Sequence, residues 1–442
     1  MLRFNFLILS LVVLIHFSSA QSDSVQVITM DEAVVQALKE NHDILVAENE
    51  ATIEKNKMTP GNAGLFPSIT LEGNYTENLN DTYIEFASNE QPPIDRSGAR
   101  STTYGGSVNL NYNLFGGLEK YYRLESLQNL GKTGDAQSRL TVENTIIQVL
   151  NTYLQAARLS EQMEISLEAV ALSRERLQRI QAQYEFGAVT KLEVLNAKVD
   201  LNSDSIEMAQ TATDLNNTKR TLMVLIGQMP EADYVVQSQF NLDRSIALQE
   251  ILPAAMEQNV NLILAEMRQQ NSELNTMISR AGNYPDLNLS ASYGYNKTEN
   301  EASFFTFQEQ LGFSGSVNFS YPIFNGGQQN IRVQNAEIAL ENSQERVEQA
   351  KLQIRKDVLN AYANYQNSLF LLNLANDDIQ TAQLNFERSQ EAYQTGQING
   401  TEFRTAQLNL IQAQNRLANL KIQAKGSEVN LYQLAGILIH EK

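Results

Sequence analysis

Apolar residues recur along this chain with two periods. Val142, Val149, Ala156, Met163, Val170, Leu177 and Tyr184 lie seven apart, and Val358, Tyr365, Leu372, Ile379, Phe386 and Tyr393 repeat the spacing. A seven-residue apolar period on a helix imposes left-handed, coiled-coil-like packing on its neighbours. The positions between are mixed, with Ile146, Tyr153 and Leu167 but also Ser160, Arg174 and Gln181, so each helix is expected to touch more than one neighbour. Neither stretch contains Pro, and in the first the only glycines after Gly117 are Gly131 and Gly134. Long helices are predicted over 118–184 and 328–393, each on the order of 100 Å at 1.5 Å per residue. No compact domain needs that length. An ordinary intramolecular helical hairpin accounts for the stripe alone; the length and the duplication favour a larger assembly. Shorter helical patterns cover 30–58 and 250–280.

The second period is two. Ile69, Leu71, Gly73 and Tyr75 alternate with Thr70, Glu72, Asn74 and Thr76, and from Tyr104 to Leu114 apolar residues alternate with Gly, Ser and Asn. Leu287, Leu289, Ala291, Tyr293 and Tyr295 face Asn288, Ser290, Ser292 and Gly294, and Phe313 through Ile323 alternate with Ser314, Ser316, Asn318 and Ser320. Two hairpins are predicted, 69–114 and 287–323. Strands of about nine to eleven residues, aromatic on one face and small and polar on the other, suit tilted strands with lipid outside and water inside. A soluble sandwich also alternates, but it explains neither the insertion of each hairpin between long helices nor the absence of Lys and Arg from the polar face. Four strands cannot close a barrel, and a bilayer does not tolerate an open edge. Several chains must therefore each contribute four, related by an axis along the barrel; the periods leave their number open.

The chain is built twice. VLNTY at 149–153 matches VLNAY at 358–362, GGSVNLNYNLF at 105–115 matches SGSVNFSYPIF at 314–324, and LMVLIG ending at Gly227 matches LYQLAG ending at Gly436, all 209 residues apart. Upstream the offset is 218, pairing Asn41, Ala47, Glu48 and Pro67 with Asn259, Ala265, Glu266 and Pro285. The extra nine residues fall around NEQPPIDRSG. The units are 21–229 and 230–442, too long for solenoid repeats.

YEFGAVTKLEVLNAKVDL at 184–201 and YQTGQINGTEFRTAQLNL at 393–410 form matching corners. Gly187 and Gly396 sit where a helix should stop in the left-handed conformation. Thr190 before Glu193, and Asn399 before Glu402, read as N-caps of returning helices. Tip turns are thus expected over 187–190 and 396–400, and on this reading alone the two glutamates cap helices and do nothing more.

Composition restricts the compartment. MLRFNFLILSLVVLIHFSSAQ has one Arg, a short apolar run and small residues ending at Ala20, the pattern of a cleaved secretory signal over 1–20. The chain has no Cys, which excludes a disulfide framework and a lipid-bearing N-terminal Cys. A net charge of −18 argues against nucleic acid as a partner. No stretch of the mature chain is apolar enough for a spanning helix, so a membrane crossing must be made by strands.

Only three His are present: His16 belongs to the signal, His440 lies near the C-terminus, and His42 is matched by Val260 in the second unit. A soft-metal site has little to be made from. The GG pairs lack the Lys-Ser/Thr continuation of a phosphate loop and mark strand-to-helix turns. The chain reads as no enzyme, with no cofactor, metal or catalytic residue expected.

The layout, the LFGG and IFNGG turns at 114–117 and 323–327 and the paired corners together resemble the outer-membrane efflux channel family typified by TolC, over essentially all of the mature sequence. That resemblance implies a homotrimer in the outer membrane of a Gram-negative bacterium. Its fold is an all-helical periplasmic tunnel of long antiparallel coiled-coil-like helices, plus a 12-stranded transmembrane β-barrel shared between chains. It implies a passive exit duct for small molecules or polypeptides, in a tripartite efflux or type I secretion system, with a periplasmic adaptor protein, an inner-membrane pump and outer-membrane lipid as partners. It places the corners at the periplasmic tip, with Gly187, Ala188, Val189, Gly396, Gln397 and Ile398 as adaptor contacts, and the connections 78–102 and 296–310 at the cell surface. Glu402 matches the outer of two acidic gate positions, Glu193 an acidic latch residue and Tyr393 a latch tyrosine. Thr405 stands at the second acidic position and Ile398 at a basic one, so at most one acidic ring survives. A non-conducting envelope-spanning structural protein and a soluble helical adaptor are the alternatives. Polar strand faces speak against the first, and the signal and amphipathic hairpins against the second.

Overall fold

The computed structural model describes residues 26–87, 91–231, 234–303 and 305–438; the expected signal over 1–20, His16 and His440 lie outside them. Both units run through the same order of elements. The first comprises β1 (Gln26–Ile28), α1 (Met30–Glu40), α2 (His42–Asn56), β2 (Ser68–Ile84), β3 (Ile94–Gly116), α3 (Glu119–Glu185) and α4 (Lys191–Leu225). The second comprises β4 (Tyr234–Val236), α5 (Leu248–Gln258), α6 (Val260–Ala281), β5 (Asp286–Asn300), β6 (Phe307–Ser320), α7 (Gln328–Gln394) and α8 (Gly400–Leu434).

The helical patterns over 30–58 and 250–280 are not single helices. Each breaks at an asparagine, and the reason is distant in sequence. Asn41 Oδ1 accepts from the N–H groups of Asp43 and Ile44, capping α2, while its Nδ2 donates to the Leu225 carbonyl at 2.7 Å. Asn259 caps α6 and donates to the Leu434 carbonyl at 2.9 Å. One side chain thus satisfies the start of one helix and an orphan carbonyl at the end of another. The approach is close: a Cβ on Gly227 would lie 2.4 Å from the Glu40 carbonyl oxygen, and one on Gly436 2.3 Å from that of Gln258.

The long helices α3 and α7 have 67 residues each, and the return helices α4 and α8 have 35 each. They pack side by side in the order α7, α8, α3, α4, with α2 and α6 against the other half of α3 and with α6 also against α7. The seven-residue stripe points inward: Val149, Ala156, Val170, Val358, Tyr365 and Leu372 are buried. Burial of each large member contributes roughly 1.5–3 kcal/mol. The two main cores sit where the return helices end. In the first, Tyr153, Leu222, Ile226 and Tyr234 close around Ala33 and Ala37, and the Tyr153 hydroxyl donates to the Ile28 carbonyl at 2.8 Å. Burial pushes that phenol up to about 12. β1 and β4 pair in parallel here and tie the starts of the two units together.

The four long strands form one antiparallel sheet in the order β2-β3-β5-β6. They are longer than the nine to eleven residues read from the alternation: 17, 23, 15 and 14 residues. Much of the 78–102 connection is itself strand, because β2 and β3 stay paired past the end of β5, slip register between Asn80 and Thr82, and continue to Ile84 and Ile94. The second hairpin ends at Ser320 rather than Ile323, just before Pro322, which has no N–H to donate.

Candidate functional site

The sheet and the helical tip are the two regions with exposed, organised chemistry. Register places Ile69, Leu71 and Tyr75 opposite Leu110, Val108 and Tyr104, and carries the same face across Leu289, Tyr293 and Tyr295 to Val317, Phe313 and Leu311. No charged residue stands on this face from 287 to 295 of β5 or opposite that stretch, until Lys297 and Glu309 end it. The run is about 26 Å along the strand, or about 20 Å in height at a barrel tilt near 40°, close to an outer-membrane apolar band. The other face carries a polar ladder. Ser292 Oγ donates to Asn109 at 2.7 Å, Ser290 Oγ to Asn111 at 3.0 Å, and Asn113 Nδ2 to Asn288 at 2.9 Å. Leu71, 82 % exposed, and Phe313, 72 % exposed, show how much apolar surface one chain leaves uncovered.

At the tip both corners follow one local design. Gly187 and Gly396 each take φ +73°. Gly187 N–H donates to Tyr184 and Ala188 N–H to Gln183; Gly396 N–H donates to Tyr393 and Gln397 N–H to Ala392. These bond pairs are Schellman motifs, which satisfy the last carbonyls of α3 and α7. Asn399 accepts from Thr401 and Glu402, and Glu402 Oε2 accepts the Asn399 N–H at 2.9 Å, so this glutamate completes a capping box. Thr190 Oγ1 accepts from the Glu193 N–H at 3.4 Å. Ala188, Gln397, Glu193, Glu402 and Thr405 are exposed, Val189 and Ile398 half-buried. The Thr405 hydroxyl is turned back to the Thr401 carbonyl.

Tyr393 of α7 stacks on Phe403 of α8 with ring centroids 4.9 Å apart, and Phe386, also on α7, lies 5.7 Å from Phe403. Burial raises the Tyr393 phenol above its usual range, with Arg176 and Arg179 of α3 drawing it down and the Glu193 charge raising it further. Glu402 and Thr405 sit one helical turn apart on α8, and in a single chain their partners are their own helix.

A second constellation links α8 to α3 and α4. Arg404 on α8 forms a two-pronged pair with Asp204 on α4, Nη1 to Oδ2 at 2.9 Å and Nη2 to Oδ1 at 2.7 Å, and approaches Ser173 of α3 at 3.4 Å. Arg176 of α3 pairs with Asp200, and its Nε has no partner. The pairs are well shielded, with side-chain exposures of 12 % for Arg404 and 9 % for Asp204. The signal lies in the comparison of the units: 209 residues on, Ser173, Arg176, Asp200 and Asp204 become Ala382, Asn385, Asn409 and Ala413, and Arg404 corresponds to Leu195. Five polar positions lose their charge or hydroxyl together, which is how one cluster would change. Among the described residues no three His, Asp or Glu side chains gather as a metal site, and no helix is long and apolar enough to cross a membrane.

Comparison with known proteins agrees on one family. The family model described as Outer membrane efflux protein matches residues 33–228 and 251–437, both units. Outer membrane protein TolC of Vibrio cholerae is 22% identical over 398 residues, 89% of this chain and 87% of that one. Pyoverdine export outer membrane protein OpmQ of Pseudomonas aeruginosa is 25% identical over 420 residues, 92% and 85% of the two chains. The crystal structure of the Campylobacter jejuni CmeC outer membrane channel superposes with a TM-score of 0.75 at 15% identity, covering 93% of this chain and 86% of that one.

Proposed function

The chain belongs to the outer membrane efflux protein family, and on that premise we propose that three copies close a twelve-stranded barrel in the outer membrane, continued by a twelve-helix tunnel across the periplasm. The observation that carries this reading is the open sheet. β2 and β6 are both edges, and both belong to a sheet with an uncharged, aromatic-rich face. Inside a bilayer those unpaired backbone groups have no water to bond to, so β6 of one copy pairs with β2 of the next until the ring closes. The Ser and Asn ladder then lines the lumen.

Such a duct is passive. Mostly small polar side chains, with Glu72 and Asp286 the charged members, line a wide lumen and form no substrate-shaped pocket, so cargo is selected at an inner-membrane pump that reaches the duct through a periplasmic adaptor. Pyoverdine export and cation efflux, the roles in the names of two relatives, lie within what such a lumen passes. The adaptor docks around Gly187, Ala188, Val189, Gly396, Gln397 and Ile398, six corners in the ring. Tyr393 and Glu193 hold neighbouring corners together, and Glu402 faces the constriction.

Two measurements test the reading. Protein purified in mild detergent should have the mass and three-fold symmetry of a trimer, and planar bilayers containing it should show single-channel steps. A stable monomer refutes the shared barrel. A trimer that never conducts refutes the duct and favours an envelope-spanning structural protein.

A further inference from the structure

Four buried side-chain atoms among the described residues lack a hydrogen-bond partner: Asn129 Oδ1, Arg176 Nε and both amide atoms of Gln407. Arg176 alone of these residues is charged. Its side chain is 4 % exposed and its Nη2 is held by Asp200 of α4, so Nε keeps a proton with no acceptor inside the protein. Buried donors are almost always paired, and such an exception points to a partner from outside the chain.

Arg176 borders a cavity of about 20 Å³ where α3 meets the second corner. That volume takes one guest about the size of a water molecule. With one exception the polar side chains around it can donate: the guanidinium groups of Arg176 and Arg179 on α3, the carboxamides of Gln390 and Gln394 on α7, and the Tyr393 hydroxyl. The exception, Glu175, is taken up by Arg179 at 2.9 Å. Tyr393 reports the field at the cavity: burial raises its phenol, and Arg176 and Arg179 both draw it down against the Glu193 charge.

The internal repeat supplies a contrast. Shifted by 209 residues, Arg179 and Gln390 keep their types as Arg388 and Gln181, whereas Arg176 becomes Asn385, Glu175 becomes Leu384 and Gln394 becomes Glu185. The equivalent place loses the shielded guanidinium and gains a carboxylate that no longer has a second arginine beside it.

We propose that the cavity holds one chloride-sized anion taken from solution, with Arg176 and Arg179 on one side and the Gln390 and Gln394 amides on the other. A water molecule fills the same volume, but a lining of donors favours a guest that only accepts, and bonds from guanidinium to an anion are the stronger ones. The ion supplies the acceptor that Arg176 Nε lacks and ties α3 to the end of α7. All its ligands belong to one chain, so the site depends neither on the ring of copies nor on conduction.

Bromide, close to chloride in size, locates the ion. Crystals of the detergent-purified protein grown in sodium bromide should show anomalous density in this cavity and none beside Arg388. Hydrogen exchange over 172–180 and 388–394 measures the tie, in sodium chloride and in sodium gluconate of equal ionic strength, because gluconate is too large to enter. With chloride at about ten times its dissociation constant, protection should be about tenfold higher than in gluconate. Gln394→Glu, which places in the lining the residue type found at position 185, should make the two salts equal. Bromide density at the protein surface only overturns the site. Equal protection of the parent in both salts, or the same tenfold difference in Gln394→Glu, overturns the tie. Should Gln394→Glu fail to fold, Arg179→Gln, which leaves the Arg176–Asp200 pair in place, takes its part in the same comparison.

Discussion

Removing Asp204 should loosen the tip, and the structure sets how much. The carboxylate takes both prongs of the Arg404 guanidinium, at 2.7 and 2.9 Å, and is itself well shielded. Deleting one partner of such a buried pair costs about 3–5 kcal/mol, because the remaining charge is left without compensation. Arg404 Nε stays 3.8 Å from Asp200, although Arg176 competes for that carboxylate. The residual attraction puts Asp204→Ala at or just below the lower end of that range, about 2–3 kcal/mol. That corresponds to about a 30- to 150-fold loss of amide protection, confined to the segments the cluster ties together. Hydrogen exchange on the detergent-solubilised protein should show it over 191–204 and 400–411, with the helix ends near Leu225 and Leu434 unchanged. Asp204→Ala with Arg404→Leu copies the residues found at the equivalent positions, Ala413 and Leu195. This double variant leaves the Arg176–Asp200 pair in place and should recover most of the protection. Tip protection within about threefold of the parent in the single variant, or no recovery in the double, would refute the argument that the charge pair ties the two hairpins.

The gate reading predicts that Glu402→Gln, which keeps the size and most of the capping geometry, lowers cation preference in single-channel recordings by removing three charges from a constriction; unchanged selectivity with a less stable helix would leave Glu402 a cap only. The proposed orientation predicts that Ser97→Cys reacts with an impermeant thiol reagent on intact cells and that Ala188→Cys reacts only once the outer membrane is opened, and the reverse pattern would invert the topology. The Asp243 carboxyl is held below its usual range by the Ser245 hydroxyl, then by the Ser245 N–H and the Tyr432 hydroxyl. Its contribution is therefore present above the ordinary Asp value near 3.9 and lost as pH falls below it. Thermal unfolding should show Asp243→Asn less stable than the parent at pH 6 with the gap closing in acid, and a gap constant down to pH 2 would show that the carboxylate charge is not what stabilises this corner.

Local rules made the corners readable. Gly187 and Gly396, with Thr190 and Asn399 three residues on, carry their conformation in a few neighbouring residues, because a Schellman turn and an N-cap are built from bonds that span no more than five residues. The strand faces were readable for a similar reason, since alternation fixes which side each residue takes once a strand exists. Strand length was not. β3 continues to 23 residues because β2 stays opposite it beyond Asn78, in a stretch rich in Asn and Asp, which are depleted in strands.

The duplicated plan, the seven-residue seams, the two-faced hairpins and the expectation of further copies follow from periods along the chain and from the hydrogen bonds a bilayer refuses to hydrate. Tertiary structure decided what depends on groups far apart in the chain. Asn41 breaks a helix because the carbonyl of Leu225 ends beside it, 184 residues later, and Arg404 finds Asp204 at a separation of 200. Neither partner is implied by its neighbours. A capping asparagine in a polar stretch, or an arginine on a helix rich in Gln and Asn, acquires its meaning only when packing brings an unsatisfied carbonyl or a shielded carboxylate within 3 Å of it.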